Sequence, residues 1–257
     1  MLPNRLAMRG IFSFSIIVLL VVGFAARAQR GDRKGQEQPE VWRTMKVPPA
    51  PTLTPAQALK TFKLAPGFRI EIAAADPLIH DPVAMAFDAD GRMWVVEMRA
   101  FMPNVDGTGE DARTGRVGVL EDTNGDGRMD KRTDFLTGLQ MPRAIALVKG
   151  GVLVAEPPTL WFCEDTDGDL KADKKTVVLK NYASQGPVEH TDNGLILGLD
   201  NWLYNAKSTK RLRFVDGKWV LNNTRSRGQW GITQDNYGRI YYNNNSNPLY
   251  GDLIAGH

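Results

Sequence analysis

Four times after residue 80 the chain repeats one pattern: an apolar strand, a tight turn, a second apolar strand. The segments are "VAMAFDADGRMWVVEM" from Val83, "AIALVKGGVLVAEP" from Ala144, "LILGLDNWLYNAK" from Leu195 and "GITQDNYGRIYYNNN" from Gly231. Their turns are Asp90-Gly91, Gly150-Gly151, Asp200-Asn201 and Asn236-Tyr237-Gly238. Such residues accept the left-handed backbone that short hairpin loops require. A second hairpin follows each of the first three, in "VGVLEDTNGDGRMDKRTDFL", "LWFCEDTDGDLKADKKTVVL" and "LRFVDGKWVL". The repeating unit is therefore four strands, and no long helical period competes with it. This predicts an all-β chain, a β-propeller of four-stranded blades. A β-sandwich would not need the same four-strand unit three times. About four blades are present. The fourth reaches His257 after two or three strands, so an incomplete, truncated ring is expected. "FRIEIAAA" (Phe68 to Ala75) alternates like a strand and is expected to serve as an outer strand of the last blade.

Three regions precede or carry this pattern. Residues 1–28 have a basic start (Arg5, Arg9), an apolar run from Ile11 to Phe24 and the small-x-small site Ala26-Arg27-Ala28. That is a secretory signal peptide, and its retention as a membrane anchor is the alternative. The protein is expected to be exported, periplasmic or secreted. Residues 29–53 are polar and then Pro-rich, a tether. Residues 54–257 form the propeller, entered through a short helix in which Thr54 caps, Pro55 takes the first position and Gln57 completes a capping box. The full chain carries +3 at pH 7, and the signal holds three arginines and no acids, so the mature chain is neutral. A neutral chain excludes nucleic acid as the expected partner. Cys163 is the single cysteine. It leaves no internal disulfide and no C-x-x-C-H for covalent haem, and its apolar neighbours make it a buried side chain.

Up-and-down connectivity sorts the loops onto two faces. Loops entering the first strand and leaving the second strand of each blade share one face. There lie His80-Asp81, Met141-Pro142-Arg143, Glu189 to Asn193 and Arg227 to Trp230, with Glu97 to Arg99, Glu156 to Pro158, Asn205 to Lys207 and Asn243 to Asn245. This concentration suits a polar ligand in the channel. His190 is the candidate catalytic base, since a neutral imidazole can take a hydroxyl proton, with Asp192 or Glu156 to orient it. A purely structural histidine is the alternative, as it is for His80. Arg99, Arg143, Lys207, Arg227 and Gln229 are candidate cofactor-binding residues. Their cations suit carboxylates or an ortho-quinone, or else salt bridges to Glu97 and Glu156. Trp230 stacks on a ligand or packs in the core.

Two acidic turns repeat on the other face. "DTNGDG" places Asp122, Asn124 and Asp126 at alternate positions, with Asp130 beyond, as a calcium loop does. Thr133 stands where an EF-hand has glutamate, and the flanks are strands, so this is a hairpin turn, a structural calcium site or a metal-free acidic loop. The second copy keeps Asp165, Asp167, Asp169 and Asp173. It has Leu170 in place of Gly127, which is expected to weaken it, because leucine resists the turn glycine allows.

The stretch from "LAPGFRIEIAAADPLIHDPVAMAFDADGRMWVVEMRAF" to "GRVGVLEDTNGDGRMDKRT", with "GGVLVAEPPTLWFCEDTDGD" and "RGQWGITQDNYGRIYYNNNSNPL", resembles the bacterial membrane-bound dehydrogenase family. Many of its members carry a C-terminal haem-binding domain, which is absent from these residues. The resemblance spans roughly residues 54–253. It implies a propeller similar to soluble quinoprotein glucose and sorbosone dehydrogenases, with pyrroloquinoline quinone and Ca2+ on the ligand face, a histidine base at the His190 position and an external electron acceptor such as a cytochrome c domain. The leading expectation is a quinone-dependent sugar or aldose dehydrogenase acting on a sugar or polar small molecule. The alternatives are a non-catalytic propeller that binds carbohydrate or protein, and a calcium-dependent lactonase-type hydrolase.

Overall fold

A computed structural model describes residue 46 and residues 49–252 except Val105, and of Glu189 only the backbone. The signal peptide, most of the tether and residues 253–257 lie outside the described residues. The chain divides into two units at residue 52, and every described helix and strand belongs to the second, Leu53–His257.

Residues 55–59 form helix α1 (Pro55–Leu59) with the expected capping box. The Thr54 N–H donates to Gln57 Oε1 at 2.9 Å, and the Gln57 N–H donates to Thr54 Oγ1 at 3.3 Å. The helix is shorter than the "AQALKTF" pattern implies and ends at Lys60, with no residue of it buried. Without an apolar face to bury, capping alone sustains little more than one turn.

Every remaining element among the described residues is a strand, apart from a 3-10 turn at Val188–His190. The first blade runs β1 (Pro82–Phe87), β2 (Met93–Glu97), β3 (Gly115–Glu121) and β4 (Lys131–Leu139). The second runs β5 (Ala144–Val148), β6 (Gly151–Glu156), β7 (Thr159–Glu164) and β8 (Lys174–Leu179). The third runs β9 (Asn193–Leu197), β10 (Leu203–Ala206), β11 (Lys210–Val215) and β12 (Lys218–Asn223). A three-stranded fourth sheet holds β13 (Thr233–Gln234), β14 (Ile240–Tyr242) and β15 (Tyr250–Gly251). All four are antiparallel meanders in simple sequence order. Strand β5 lies against both β1 and β9, so the first strands of successive blades face one another. This is the four-blade propeller arrangement expected from the repeat.

Alternation explains the packing. In the second blade Ile145, Val152, Val154 and Cys163 face the first blade's Trp94, Val96, Val117 and Phe135. Ala144, Ala146, Leu153 and Leu160 point the other way, onto Leu203 and Leu212 of the third blade. A blade buried on both faces needs apolar residues at nearly every position, hence the continuous run "GVLVAE" in β6. Trp202, Tyr204 and Ile240 join the third and fourth blades.

The segment Phe68–Ala75 is not a strand. Its alternation is real, but a strand needs a ladder, and here Ala73 O accepts one bond from the Met129 N–H at 2.8 Å. Ala74, with Leu78 and Ile79, instead covers Met93, Val95 and Leu120 on the free face of the first blade. Met85 and Phe87 of β1 remain mostly exposed on that face.

Candidate functional site

The loop face is stitched by buried polar groups. At its centre Arg143, which precedes β5 and is buried, donates from Nη1 to Val188 O at 2.8 Å and to Thr191 Oγ1. Both acceptors belong to the turn that carries His190. The Arg143 backbone is itself tied to Ala155 O at 3.0 Å, so the second blade clamps the loop entering the third. Arg143 Nε is sealed from solvent and has no hydrogen-bond partner. Burial pulls this guanidinium below its ordinary pKa, while Tyr182 and Asp192 favour its charged form.

From the turn the network continues towards the fourth blade. Asn193 Nδ2 donates to Thr191 O at 2.8 Å and to Gln229 O at 2.9 Å, and its Oδ1 accepts from the Gly231 N–H at 2.8 Å. A Cβ on Gly194, where φ is +60°, would stand 2.8 Å from Gly231 Cα, so this crossing of loops admits only glycine. Arg227 is buried. It donates from Nε to Asp252 Oδ2 at 2.6 Å and from Nη1 to Thr224 Oγ1 at 2.8 Å. Tyr182 is buried and keeps its proton, since burial drives its pKa well up, and it donates to Asn205 Oδ1 at 2.8 Å.

The fold separates the expected residues. The His190 imidazole is half-buried, and no described side chain hydrogen-bonds to it. The proposed orienters are engaged elsewhere. One Asp192 oxygen accepts from the Ala183 N–H at 3.1 Å. Glu156 accepts from Arg113 at 2.6 Å, from the Gln140 N–H, from Trp161 Nε1 and from Lys175. Arg99 and Lys207 are exposed, without an ion pair to a described residue. Gln229 uses its backbone O on Asn193 and accepts weakly from the Asn245 N–H at 3.4 Å. The expected arginines, Arg99, Arg143 and Arg227, do not pair with Glu97 or Glu156. Glu97 is held by Arg116 and Arg132 of its own blade. His80 faces Asp76, with Nδ1 to Oδ1 at 2.5 Å. Trp230 is half-buried.

An anionic ortho-quinone needs cations turned toward it. Arg143 and Arg227 are buried and tied to the chain through Nη1 of the one and Nε and Nη1 of the other, and Arg143 Nε and Arg227 Nη2 are closed to solvent, which leaves Arg99 and Lys207 as exposed cations. The five expected residues therefore do not fit such a cofactor as a unit. Sequence reasoning missed Thr191 and Asp252 as the partners of the two buried arginines. The only signal was indirect: a buried guanidinium requires an acceptor.

The acidic turns lie at the opposite end of the blades. Asp122 accepts backbone N–H groups from Gly125 at 2.7 Å and Gly127 at 2.8 Å, and these bonds, Gly127 first, hold its carboxyl below its ordinary pKa. Asp130 closes the loop on Thr123 Oγ1 at 2.8 Å. Asn124 and Asp126 bond within the same turn. In the second copy, oxygens of Asp165, Asp167 and Asp173 all lie within 4.8 Å of one another, while Asp169 pairs with Lys171. Leu170 adopts φ +65°, the left-handed conformation of Gly127. It does so because its side chain packs on the core between the first two blades.

Among the described residues no helix is long and apolar enough to cross a membrane. The pyranose dehydrogenase PQQ domain of Coprinopsis cinerea is similar over 70% of this chain and 46% of that one, at 13% identity and a TM-score of 0.46. A gluconolactonase of Xanthomonas campestris is similar over 67% of this chain and 57% of that one, at 14% identity and a TM-score of 0.46. The chain thus spans roughly half the length of these solved structures. No curated protein sequence matches it. Residues 54–257 match the domain of unknown function DUF7133, and the chain belongs to that family.

Proposed function

We propose that this chain presents the ligand face of an exported propeller that acts on a sugar or a comparable polyhydroxy compound, with His190 accepting a hydroxyl proton. One observation carries the reading. The turn Val188–His190 is clamped by the buried Arg143 guanidinium, while the imidazole stays half-exposed and unpaired with any described side chain. A rigid backbone with a free imidazole is the setting a general base needs. Arg99 and Lys207, exposed on the same face, would steady negative charge as it develops on the ligand oxygen. Oxidation of the alcohol further needs a hydride acceptor from outside these residues.

The test is titration of the purified protein with aldoses and aldonolactones, combined with two turnover assays. One follows dye reduction with pyrroloquinoline quinone and Ca2+ added; the other follows lactone hydrolysis. The expected result is binding plus turnover in one assay, with His190→Ala lowering the rate by about 10²-fold or more while binding persists. Dye reduction supports the dehydrogenase, and lactone opening supports the hydrolase.

The committed state of Arg143 and Arg227 favours one further reading, a carbohydrate-binding propeller without chemistry. Binding without turnover, unchanged in His190→Ala, would establish it. Failure of every sugar and lactone to bind would sink both readings. We assign the structural calcium ion, as part of the same proposal, to the second acidic turn, whose three converging carboxylates suit an oxygen-seeking cation.

A further inference from the structure

The free face of the first blade holds an open groove of about 620 Å³, bounded by α1, by residues 70–75 and by β1 and β2. That volume lies within the range of small-molecule sites, about 300–1,000 Å³. Its wall is apolar. Phe62, Ile70 and Met85 line it and remain 58%, 37% and 64% exposed. The one charged residue of the lining, Glu71, is itself exposed and lies 3.4 Å from Arg69. Exposed apolar surface gathered around a concavity marks a binding site more often than scattered leucines do. A groove of this kind suits an uncharged hydrocarbon chain.

At one end the lining runs through Ala75, Ile79 and Pro82, which flank Asp76 and His80 in the chain. There His80 Nδ1 meets Asp76 Oδ1 at 2.5 Å. An exposed ion pair is ordinarily loose. This one is framed by fixed backbone. The His80 N–H donates to the buried Glu97 at 3.0 Å. Between the two residues, the Leu78 N–H donates to Ala75 O at 2.9 Å, and Leu78 O accepts from Arg132 Nη1 at 2.7 Å. Leu78 and Ile79 pack onto Met93, Val95 and Leu120. With Nδ1–H on the carboxylate, Nε2 is left as the acceptor, on a side chain that is 35% exposed. A carboxylate-oriented imidazole at the end of an apolar groove has the parts of a general base beside a place for substrate.

We propose that Asp76 and His80 form a separate hydrolytic site, which cleaves carboxylic esters whose acyl chain lies in the apolar groove. His80 Nε2 takes a proton from water as the water oxygen bonds to the acyl carbon. The acyl C–O bond then breaks, and the leaving alkoxide takes the proton back from His80. The products are a carboxylic acid and an alcohol, and water is the only co-reactant. Asp76 is a positioning residue: it holds the Nδ1 proton and so keeps Nε2 free. The pair belongs to the first blade and the His190 turn to the third, so either reading can fail alone.

Hydrolysis of 4-nitrophenyl hexanoate and 4-nitrophenyl acetate by the whole chain provides the test. The hexanoate should be preferred in kcat/KM by about tenfold or more, since its longer chain buries more apolar surface. His80→Gln should lower kcat by about 10²-fold or more. The Glu97 bond comes from the His80 backbone and survives that change. Asp76→Ala should lower kcat with little effect on KM, and Asp76→Glu should recover part of the loss. Nitrogen NMR of the His80 ring should show the Nδ1–H tautomer in the wild-type protein and its loss in Asp76→Ala. Met85→Glu should bring the hexanoate rate down towards that of the acetate. No hydrolysis above buffer would overturn the proposal, as would a rate that survives His80→Gln, equal rates for the two esters, or a loss confined to His190→Ala. If His80→Gln fails to fold, Asp76→Ala, at an exposed position, decides.

Discussion

Glu97 has no contact with water, yet it carries a charge. It ends β2 and accepts from Arg116 Nε at 2.5 Å, from Arg132 Nη1 at 2.6 Å and from the His80 N–H at 3.0 Å. Burial alone would raise its pKa, but the Arg116, His80 and Arg132 bonds outweigh that and hold it below the ordinary 4.5. Its stabilising contribution is therefore fully present above that ordinary value and is lost as pH falls through the lower folded value. Glu97→Ala leaves Arg116 and Arg132 with Asp134 as their one counter-charge among the described residues and should cost about 3 kcal/mol in chemical denaturation. Glu97→Gln should flatten the acid side of the melting-temperature profile below pH 4.5, the ordinary value. Glu156 repeats the device in the second blade, with Lys175 at the position of Arg132. Cys163 offers a second measurement. Burial pushes its thiol up to about 12. Ellman's reagent at pH 8 should therefore leave the folded protein untouched and react fully in denaturant.

The hairpins were readable in the sequence because a turn is a local object. Gly91, Gly150, Asn201 and Gly238 all take positive φ, as their spacing between apolar runs predicts. The acidic turns were also legible as loops. Sequence favoured the first copy for its glycine at 127. In the structure both loops spend their first aspartate on their own backbone, Asp122 on Gly127 and Asp165 on Gly168 and Leu170, and the second also brings oxygens of Asp165, Asp167 and Asp173 within 4.8 Å of one another. Leucine at 170 tolerates the left-handed conformation because the neighbouring blade packs against it, a fact invisible from within the hairpin. Calcium titration should raise the melting temperature of the wild-type protein and leave Asp167→Asn unmoved. No shift in either would remove calcium from the second turn. "FRIEIAAA" shows the converse limit: its alternation marks a strand only where a partner offers a ladder.

Blades hold one another through paired apolar faces, so stability here is shared between neighbours. Leu160 is fully buried in the cluster joining the second and third blades. Leu160→Ala should cost about 2–5 kcal/mol through lost burial and the cavity left behind. If the blades unfold as one body, denaturation followed by Trp94 in the first blade and Trp202 in the third should shift together. Separate transitions would show that the blades unfold independently. The repeat of strand, turn and strand, written in local alternation and turn chemistry, was enough to specify four-stranded blades and to sort their loops onto two faces. Neighbours along the chain decide both, so both survive in a linear reading. Long-range contacts decided the rest: which buried guanidinium finds which acceptor, and that Arg143 holds the His190 turn instead of meeting a ligand. A buried charge takes whatever partner the packed fold brings within hydrogen-bond reach, and that partner can lie 48 residues away, as Thr191 does from Arg143.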